Sequence, residues 1–212
     1  MIPSIIHQMW VGSRMPSEFK EYRDKLRGLH PEWQLILWGE DNLPDFIDTM
    51  HNAMLIRQAR YISPKAPEQF VSDVSRYEIL NSYGGVWLDV DMDPNKPLGP
   101  LNEKTEGWAC WEVPGVWANN AAMAAEPGSA WLWDAIRGLE DSVNKHPGAA
   151  NTVKSGPQYL TPILLKHGVT IYPKDYFFPY LWNELDRELE SFPDSYAVHR
   201  WNNRRRQKNK QR

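Results

Sequence analysis

Side chains that could do chemistry are concentrated between residues 72 and 94, in the sequence SDVSRYEILNSYGGVWLDVDMDP. Asp73 and Arg76 are three residues apart, so on a helix they share one face. Asp89 and Asp91 follow an apolar run, and the alternation of side chains along a strand sends both carboxylates to the same side. Two adjacent carboxylates repel each other unless a cation lies between them. Oxygen ligands favour Mg²⁺ or Mn²⁺, which usually bridges to substrate phosphates.

Other metal sites fit this stretch less well. A calcium loop of the EF-hand type that began at Asp89 would need Gly and Glu where the chain has Pro94 and Pro100. None of the six histidines stands in the H-E-x-x-H spacing of a zinc hydrolase. A phosphotransferase or phosphatase of the haloacid-dehalogenase type stays open as an alternative. That class prefers Thr or Val where this chain has Asp93.

The elements around this stretch must position its side chains. The helix that carries Asp73 is predicted to begin at Pro67, and Gly84-Gly85 ends it before a strand over 86–91. Upstream, residues 5–11 predict a strand, Ser17 caps a helix, and residues 33–38 predict a second strand, which together have the size of a βαβ unit. Such units bind ligands beyond the carboxyl ends of their strands.

The rest of the chain continues to alternate strands and helices. Short helices and loops are predicted between residues 43 and 65. Strands are predicted at 108–112, 117–123, 169–172 and 196–201, and helices at 129–144 and 157–167. This order predicts one α/β domain over residues 1–201, with a mostly parallel sheet flanked by helices. Residues 202–212 are predicted to form a basic, disordered tail.

Composition excludes several classes of protein. The single cysteine, Cys110, excludes an intrachain disulfide framework and a cysteine-based zinc site. No apolar run is long enough to span a membrane and the N-terminus does not resemble a signal peptide, which predicts a cytoplasmic protein. Eleven tryptophans are an unusually large share, and their flat faces suit sugar rings and nucleobases as well as the core.

Charge is distributed unevenly along the chain. Residues 200–212 hold seven Lys and Arg and no acid, whereas the remaining chain has 17 basic and 27 acidic residues. An acidic body of this kind argues against a nucleic-acid partner. Residues 204–212 could still make weak contact with an anionic membrane.

Four further segments accompany residues 72–94. They are IPSIIHQMWVG at 2–12, ILW-x-E-D-N at 36–42, S-G-P at 155–157 and SYAVHRW at 195–201. In this order, the five segments resemble the glycosyltransferases with a DXD-containing sugar-binding region. That group includes the fungal initiating α-1,6-mannosyltransferases and, more distantly, the clostridial glucosylating toxins. The resemblance implies a GT-A, Rossmann-like fold, a UDP- or GDP-sugar donor, Mn²⁺ or Mg²⁺ as cofactor, and retention of the anomeric configuration.

The resemblance also implies roles for single residues. Trp10 resembles the aromatic residue that stacks on the nucleobase. Asp73 and Arg76 resemble the pair that grips the donor sugar and its phosphate. Asp89 resembles the residue that contacts both ribose and metal, and Asp91 the direct metal ligand. Asp89, Asp91 and Arg76 are therefore the expected catalytic residues.

Three more residues complete the expected site. Trp87 stands near the donor sugar, at a position where relatives often carry Tyr. His199 resembles a C-terminal metal or diphosphate ligand, which would join Asp89 and Asp91 around the metal. Trp201 resembles a residue that closes over the β-phosphate of the donor.

These observations predict a metal-dependent retaining glycosyltransferase that moves a sugar from a nucleotide-diphosphate sugar to a hydroxyl of a glycan, lipid or protein acceptor. Retention normally implies a carboxylate nucleophile, and the sequence assigns that role to no residue. Front-face attack, in which the leaving phosphate assists the acceptor hydroxyl, needs none. A haloacid-dehalogenase-type phosphotransferase and a non-catalytic carbohydrate-binding protein are the alternatives. A carbohydrate-binding protein without catalysis would not need Asp89, Asp91 and Arg76, the residues expected to hold a diphosphate and its metal.

Overall fold

The structure, a computed structural model, describes residues 1–12, 14–103 and 105–202. The basic tail predicted for residues 202–212 therefore lies, from residue 203 onward, outside the described residues. No helix in the described ranges has both the length and the apolar character needed to cross a bilayer.

A six-stranded sheet forms the centre of the molecule. Its strands are β1 (Ile5–Met9), β2 (Gln34–Trp38), β3 (Gly85–Leu88), β5 (Gly107–Val113), β6 (Trp117–Ala125) and β7 (Thr170–Tyr172). They are hydrogen-bonded in the order β2-β1-β3-β6-β5-β7. All of them run in one direction except β6, which is antiparallel to both neighbours. The α/β fold with a mostly parallel sheet is confirmed.

Helices cover this sheet. They are α1 (Ser17–Leu29), α2 (Leu43–Ile47), α3 (Ala53–Arg57), α4 (Ala59–Ile62), α5 (Pro67–Tyr83), α6 (Ala130–Lys145), α7 (Asn151–Lys154) and α8 (Pro157–Lys166). The apolar sides of α5, α6 and α8 pack into one core cluster, and α1 joins a second cluster that includes the segment around residues 177–201. Ser17 is the first residue of α1, and Pro16 occupies its N-cap position.

The glycine pair between α5 and β3 is required by close packing. Gly84 and Gly85 have φ angles of +63° and +92°, a region that L residues rarely adopt. A Cβ atom on Gly85 would lie 2.6 Å from the carbonyl oxygen of Ile5 in β1. The pair therefore lets β3 lie directly beside β1, which brings the residues after the two strands to the same edge of the sheet.

The strand predicted over residues 86–91 is shorter than expected. It ends at Leu88. The amide of Asp89 still donates to Ala121 O of β6 (2.9 Å), and the amide of Met92 then donates to Asp89 O (3.1 Å), which closes a turn. The chain then enters β4 (Met92–Pro94), which pairs with β8 (Ala197–His199) in a separate two-stranded sheet. A turn, and not the alternation of a strand, therefore positions the DXD carboxylates.

Candidate active site

A cleft of about 650 Å³ opens at the carboxyl ends of β1, β3 and β5. One wall comes from the residues after β1 and from the N-terminal half of α5, and the floor comes from the start of β6. The residues that follow β8 close the far end. Of the predicted site residues, this cleft is lined by Trp10, Asp73, Arg76, Asp89, Asp91, His199 and Trp201.

Asp89, Asp91 and His199 form the potential metal cluster of the cleft. Each offers one ligand atom, and these atoms lie within 4.8 Å of one another. His199 Nε2 is 3.2 Å from Asp91 Oδ1, and Asp91 Oδ2 accepts a hydrogen bond of 2.9 Å from the amide of Asn202. The pairing of β4 with β8 sets Met92 opposite His199, and the amide of Arg200 donates to Asp91 O (3.0 Å). Residues about 110 positions apart in the chain thus meet through two short strands.

The electrostatics of this cluster suit a divalent cation. Burial alone would raise the pKa of Asp91, but the charge and hydrogen bond of His199, together with backbone hydrogen bonds that include the one from Asn202, hold this pKa below its usual value. Burial alone would lower the pKa of His199, and the surrounding carboxylates of Asp91, Asp89 and Glu112 raise it instead. Burial, together with the charge of Asp91, raises the pKa of Asp89 against the opposing effect of Arg76.

The donor set also fits a metal ion. His199 Nδ1 is buried and has no hydrogen-bond partner among the described residues. Two carboxylates and one imidazole are ligands that Mn²⁺ accepts, whereas Mg²⁺ prefers oxygen ligands alone. A divalent cation would compete with the proton that the surrounding carboxylates favour on His199.

Arg76 connects the two acidic parts of the cleft. Its side chain is 3% exposed, and Nη2 lies 3.3 Å from Asp73 Oδ1 and 3.4 Å from Asp89 Oδ1. Nη1 donates to Asn120 O (2.6 Å), and Nε and Nη2 donate to the backbone and hydroxyl oxygens of Ser72 (3.1 and 2.8 Å). The guanidinium is therefore held rigidly, and its charge stabilises both carboxylates at once.

Asp73 is a nearly fully buried carboxylate at the side of the cleft formed by α5. Its Oδ1 accepts a hydrogen bond from Asn120 Nδ2 (3.0 Å), and its Oδ2 accepts one from Ser155 Oγ (3.1 Å). Burial raises the pKa of Asp73 to about 6, although Arg76 and these hydrogen bonds act in the opposite direction. Asp73 is therefore mostly ionised at neutral pH, and keeping this buried charge lowers the free energy of unfolding.

The three predicted tryptophans differ in position. Trp10 lines the cleft and packs edge-to-face on Phe19, with the ring centroids 5.6 Å apart. Trp201 lines the opposite end, 4.1 Å from the ring centroid of His199, and adopts a positive φ of 50°. Trp87 is fully buried and lies under the site. Its Nε1 donates to Asp89 Oδ1 (2.8 Å), and its ring centroid is 4.9 Å from the Arg76 guanidinium, so its contact with the site runs through these two residues.

Asp93 points away from the cluster. Its Oδ1 accepts a hydrogen bond from Lys25 Nζ and its Oδ2 one from Arg200 Nη2, each 2.7 Å long. Asp93 therefore joins α1 to the segment after β8 and contributes to the support of the site.

Sequence reasoning missed four polar residues of this region: Glu112, Asn119, Asn120 and Ser155. Ser155 belongs to the S-G-P segment but received no role. Asn119 and Asn120 are polar residues in the otherwise apolar strand β6. Glu112 lies near the carboxyl end of β5, in the same way that Asp89 lies just beyond the carboxyl end of β3. A charged residue near the carboxyl end of β5 was thus a signal for Glu112, and the polar pair near the start of the otherwise apolar, antiparallel strand β6 was a signal for Asn119 and Asn120.

Residues 16–108 match the family model described as the glycosyltransferase sugar-binding region containing a DXD motif. Inositol phosphoceramide mannosyltransferase 3 of Schizosaccharomyces pombe is 32% identical over 164 residues, which cover 76% of this chain and 44% of that protein. Inositol phosphoceramide mannosyltransferase 1 of the same yeast is 29% identical over 177 residues, which cover 80% and 53%. The chain thus spans about half the length of these relatives. The resemblance to this family is confirmed.

Solved structures show the same fold. The PaToxG glycosyltransferase superposes with a TM-score of 0.64 at 14% identity, covering 78% of this chain and 70% of that one. The UDP-bound glycosyltransferase domain of the YGT toxin superposes with a TM-score of 0.55 at 10% identity, covering 81% and 79%. These likenesses confirm the GT-A type of fold. Neither the phosphotransferase nor the carbohydrate-binding alternative is favoured by the comparisons.

Proposed function

We propose that the cleft of this chain, whose residues 16–108 match the sugar-binding region of the DXD glycosyltransferases, binds a nucleotide-diphosphate sugar with Mn²⁺. The bound sugar is transferred to an acceptor hydroxyl with retention. The convergence of Asp89, Asp91 and His199 beside Arg76 carries this proposal. The match of residues 16–108 to the family model supports the reaction class, and the Asp89–Asp91–His199 cluster supports the metal dependence.

Each part of the cleft has a task in this reaction. Asp73 can accept a hydrogen bond from a hydroxyl of the donor sugar at Oδ2, which accepts from Ser155 Oγ and has room for a second donor, whereas Oδ1 already faces both Asn120 and Arg76. Arg76 keeps Asp73 and Asp89 ionised and in place. A cation bound by Asp89, Asp91 and His199 would neutralise the negative charge that develops on the leaving diphosphate. Trp10 offers an aromatic face at the end of the cleft where a base can stack.

The acceptor proposal follows the named relatives. The two yeast relatives are called inositol phosphoceramide mannosyltransferases. We therefore propose mannose as the sugar and a lipid with an inositol phosphate head group as the acceptor. The cytoplasmic localisation and the membrane contact of residues 204–212 stay predictions.

The reaction class is tested by release of nucleoside diphosphate from a panel of UDP- and GDP-sugars. We expect release with Mn²⁺ and none in excess EDTA. Hydrolysis of p-nitrophenyl phosphate without any nucleotide-sugar turnover would support the phosphotransferase alternative. Sugar binding without turnover of any donor would support the carbohydrate-binding alternative.

The role of Trp10 is tested by nucleotide affinity. Trp10→Ala should weaken binding of UDP or GDP in the presence of Mn²⁺ by about 1–3 kcal/mol, the usual worth of one base–aromatic stack. Trp10→Phe, which keeps an aromatic face and the contact with Phe19, is the matched control and should lose much less. Calorimetry measures both, and unchanged affinity in a stable Trp10→Ala variant would reduce Trp10 to a packing residue.

A further inference from the structure

Glu112 is a buried carboxylate of the cleft to which the proposed function gives no task. It is 6% exposed, and its side chain lines the cleft near the end of β5. Its charge acts on His199, since it contributes to the raised pKa of that imidazole. Its hydrogen-bond partner Asn119 accepts from the amide of Ala121, and the carbonyl of Ala121 accepts from the amide of Asp89, so Glu112 lies on the side of the cleft that holds the potential metal cluster.

The pairing of β5 with β6 is irregular at Glu112, which lies inside β5. Trp111 pairs with Ala118 and Val113 pairs with Trp117, so the ladder between β5 and β6 is irregular at Glu112. Such bulges re-aim one side chain and are common beside active sites. The bulge therefore sets the direction of the Glu112 side chain. An apolar strand that only packed against its neighbours would need no such bulge.

A neighbouring amide holds the carboxylate in one orientation. Asn119 Nδ2 donates to Glu112 Oε2 (2.7 Å), and Asn119 Oδ1 accepts from the amide of Ala121 (2.7 Å). The second bond fixes which end of the Asn119 amide faces Glu112. A side chain held in this way is preorganised to receive a proton or a hydrogen bond at a defined place.

We propose that Glu112 binds the attacking hydroxyl and accepts its proton. This inference rests on the proposed function, because retention by front-face attack brings the acceptor oxygen to the side of the sugar where the diphosphate leaves, and therefore towards the metal end of the cleft. Of the described carboxylates that line the cleft, Glu112 and Glu68 lie outside the Asp89–Asp91–His199 cluster and the Arg76 network, and Glu68 belongs to the first turn of α5.

The same bonds form and break for any attacking hydroxyl, including that of water. The acceptor oxygen forms a bond to the anomeric carbon while its O–H bond breaks, and the proton passes to the Glu112 carboxylate instead of directly to the leaving phosphate. The bond between the anomeric carbon and the diphosphate oxygen breaks, and its electron pair leaves with the diphosphate. Glu112 then returns the proton to the leaving phosphate or to water. General-base catalysis of this kind typically contributes about 10²–10⁴-fold.

The test uses Glu112→Gln, which keeps an acceptor oxygen for the Asn119 amide. Donor hydrolysis with Mn²⁺, in which water is the acceptor, should fall about 100-fold. The affinity for UDP or GDP at saturating Mn²⁺, measured by calorimetry, should stay within about twofold, since the proposed base contacts the acceptor and not the nucleotide. Glu106→Gln, an exposed position just before β5 and outside the cleft, is the control and should match the wild type.

Azide decides the position of Glu112, because this anion attacks without a base. We expect azide to restore consumption of the donor by Glu112→Gln and to give a glycosyl azide of retained configuration. A glycosyl azide of inverted configuration would overturn the proposal, because it would place Glu112 on the far face as a nucleophile. Wild-type turnover by Glu112→Gln would overturn it as well.

The remaining outcomes separate this inference from the proposed function. If the wild-type protein released no nucleoside diphosphate from any donor, the proposed function itself would fail. If Glu112→Gln did not fold, Glu112→Asp would serve instead, since it keeps a carboxylate that is one methylene shorter. We expect Glu112→Asp to keep its nucleotide affinity and lose turnover without rescue by azide. Full turnover would overturn the proposal.

Discussion

Asp91→Asn is expected to lower Mn²⁺-dependent release of nucleoside diphosphate by about 10²–10³-fold. Asp91 contacts His199 directly and lies in the cluster with Asp89, so removing its charge removes a central ligand. The fold should persist, because an asparagine side-chain oxygen can still accept the hydrogen bond from the amide of Asn202. Turnover over a Mn²⁺ titration and a thermal melt measure the two effects. Full turnover by Asp91→Asn would contradict the metal site.

Asp93→Asn provides the matched control, two residues along the same motif. Asp93 is paired with Lys25 and Arg200, so its neutralisation should lower the melting temperature without changing the Mn²⁺ concentration needed for half-maximal turnover. If Asp93→Asn weakened the Mn²⁺ dependence more than Asp91→Asn did, the metal would lie on the other side of the turn.

Asp73→Asn is expected to change activity and stability in opposite directions. Turnover of the donor should fall about 10–100-fold, because the charged acceptor for the sugar hydroxyls is lost. The fold can accommodate the amide, since its oxygen can accept from Asn120 Nδ2 and its NH₂ can donate to Ser155 Oγ. Arg76 keeps Asp89 as a partner.

The stability gain should depend on pH in a defined direction. The pKa of Asp73 is about 6 in the folded protein and 3.8 as its ordinary value, so between these values the folded state binds more protons than the unfolded state. The free energy of unfolding contributed by Asp73 therefore falls as the pH rises from about 4 to about 6. Asp73→Asn removes this loss, and its stability relative to the wild type should rise by roughly 1–2 kcal/mol between pH 4.5 and pH 7.5.

Urea unfolding at both pH values measures this difference. Asp141→Asn, at an exposed position of α6, removes one carboxylate without burial and should show no such trend. Parallel pH curves for Asp73→Asn and the wild type would show that ionised Asp73 costs nothing in the folded state.

The sequence by itself determined the local elements and the kind of site. Pro67, the apolar face of α5 and the glycine pair predicted a helix that the structure has at Pro67–Tyr83, because capping, periodicity and backbone freedom act over a few residues. The order of strands and helices predicted the α/β fold for the same reason. The D-x-D pattern after an apolar strand predicted carboxylates at the carboxyl edge of the sheet, where they lie.

The family resemblance assigned the metal to Asp91 and no role to Asp93, and only the tertiary structure gives the physical reason for this division. Asp91 and Asp93 are chemically identical and adjacent in the pattern, yet Asp91 faces His199 while Asp93 pairs with Lys25 and Arg200. The pairing of β4 with β8 makes this distinction, and contacts between residues so distant in the chain leave no periodic signal. The burial of Trp87 and the bulge that aims Glu112 into the cleft are decided in the same way, by which strands meet at the edge of the sheet.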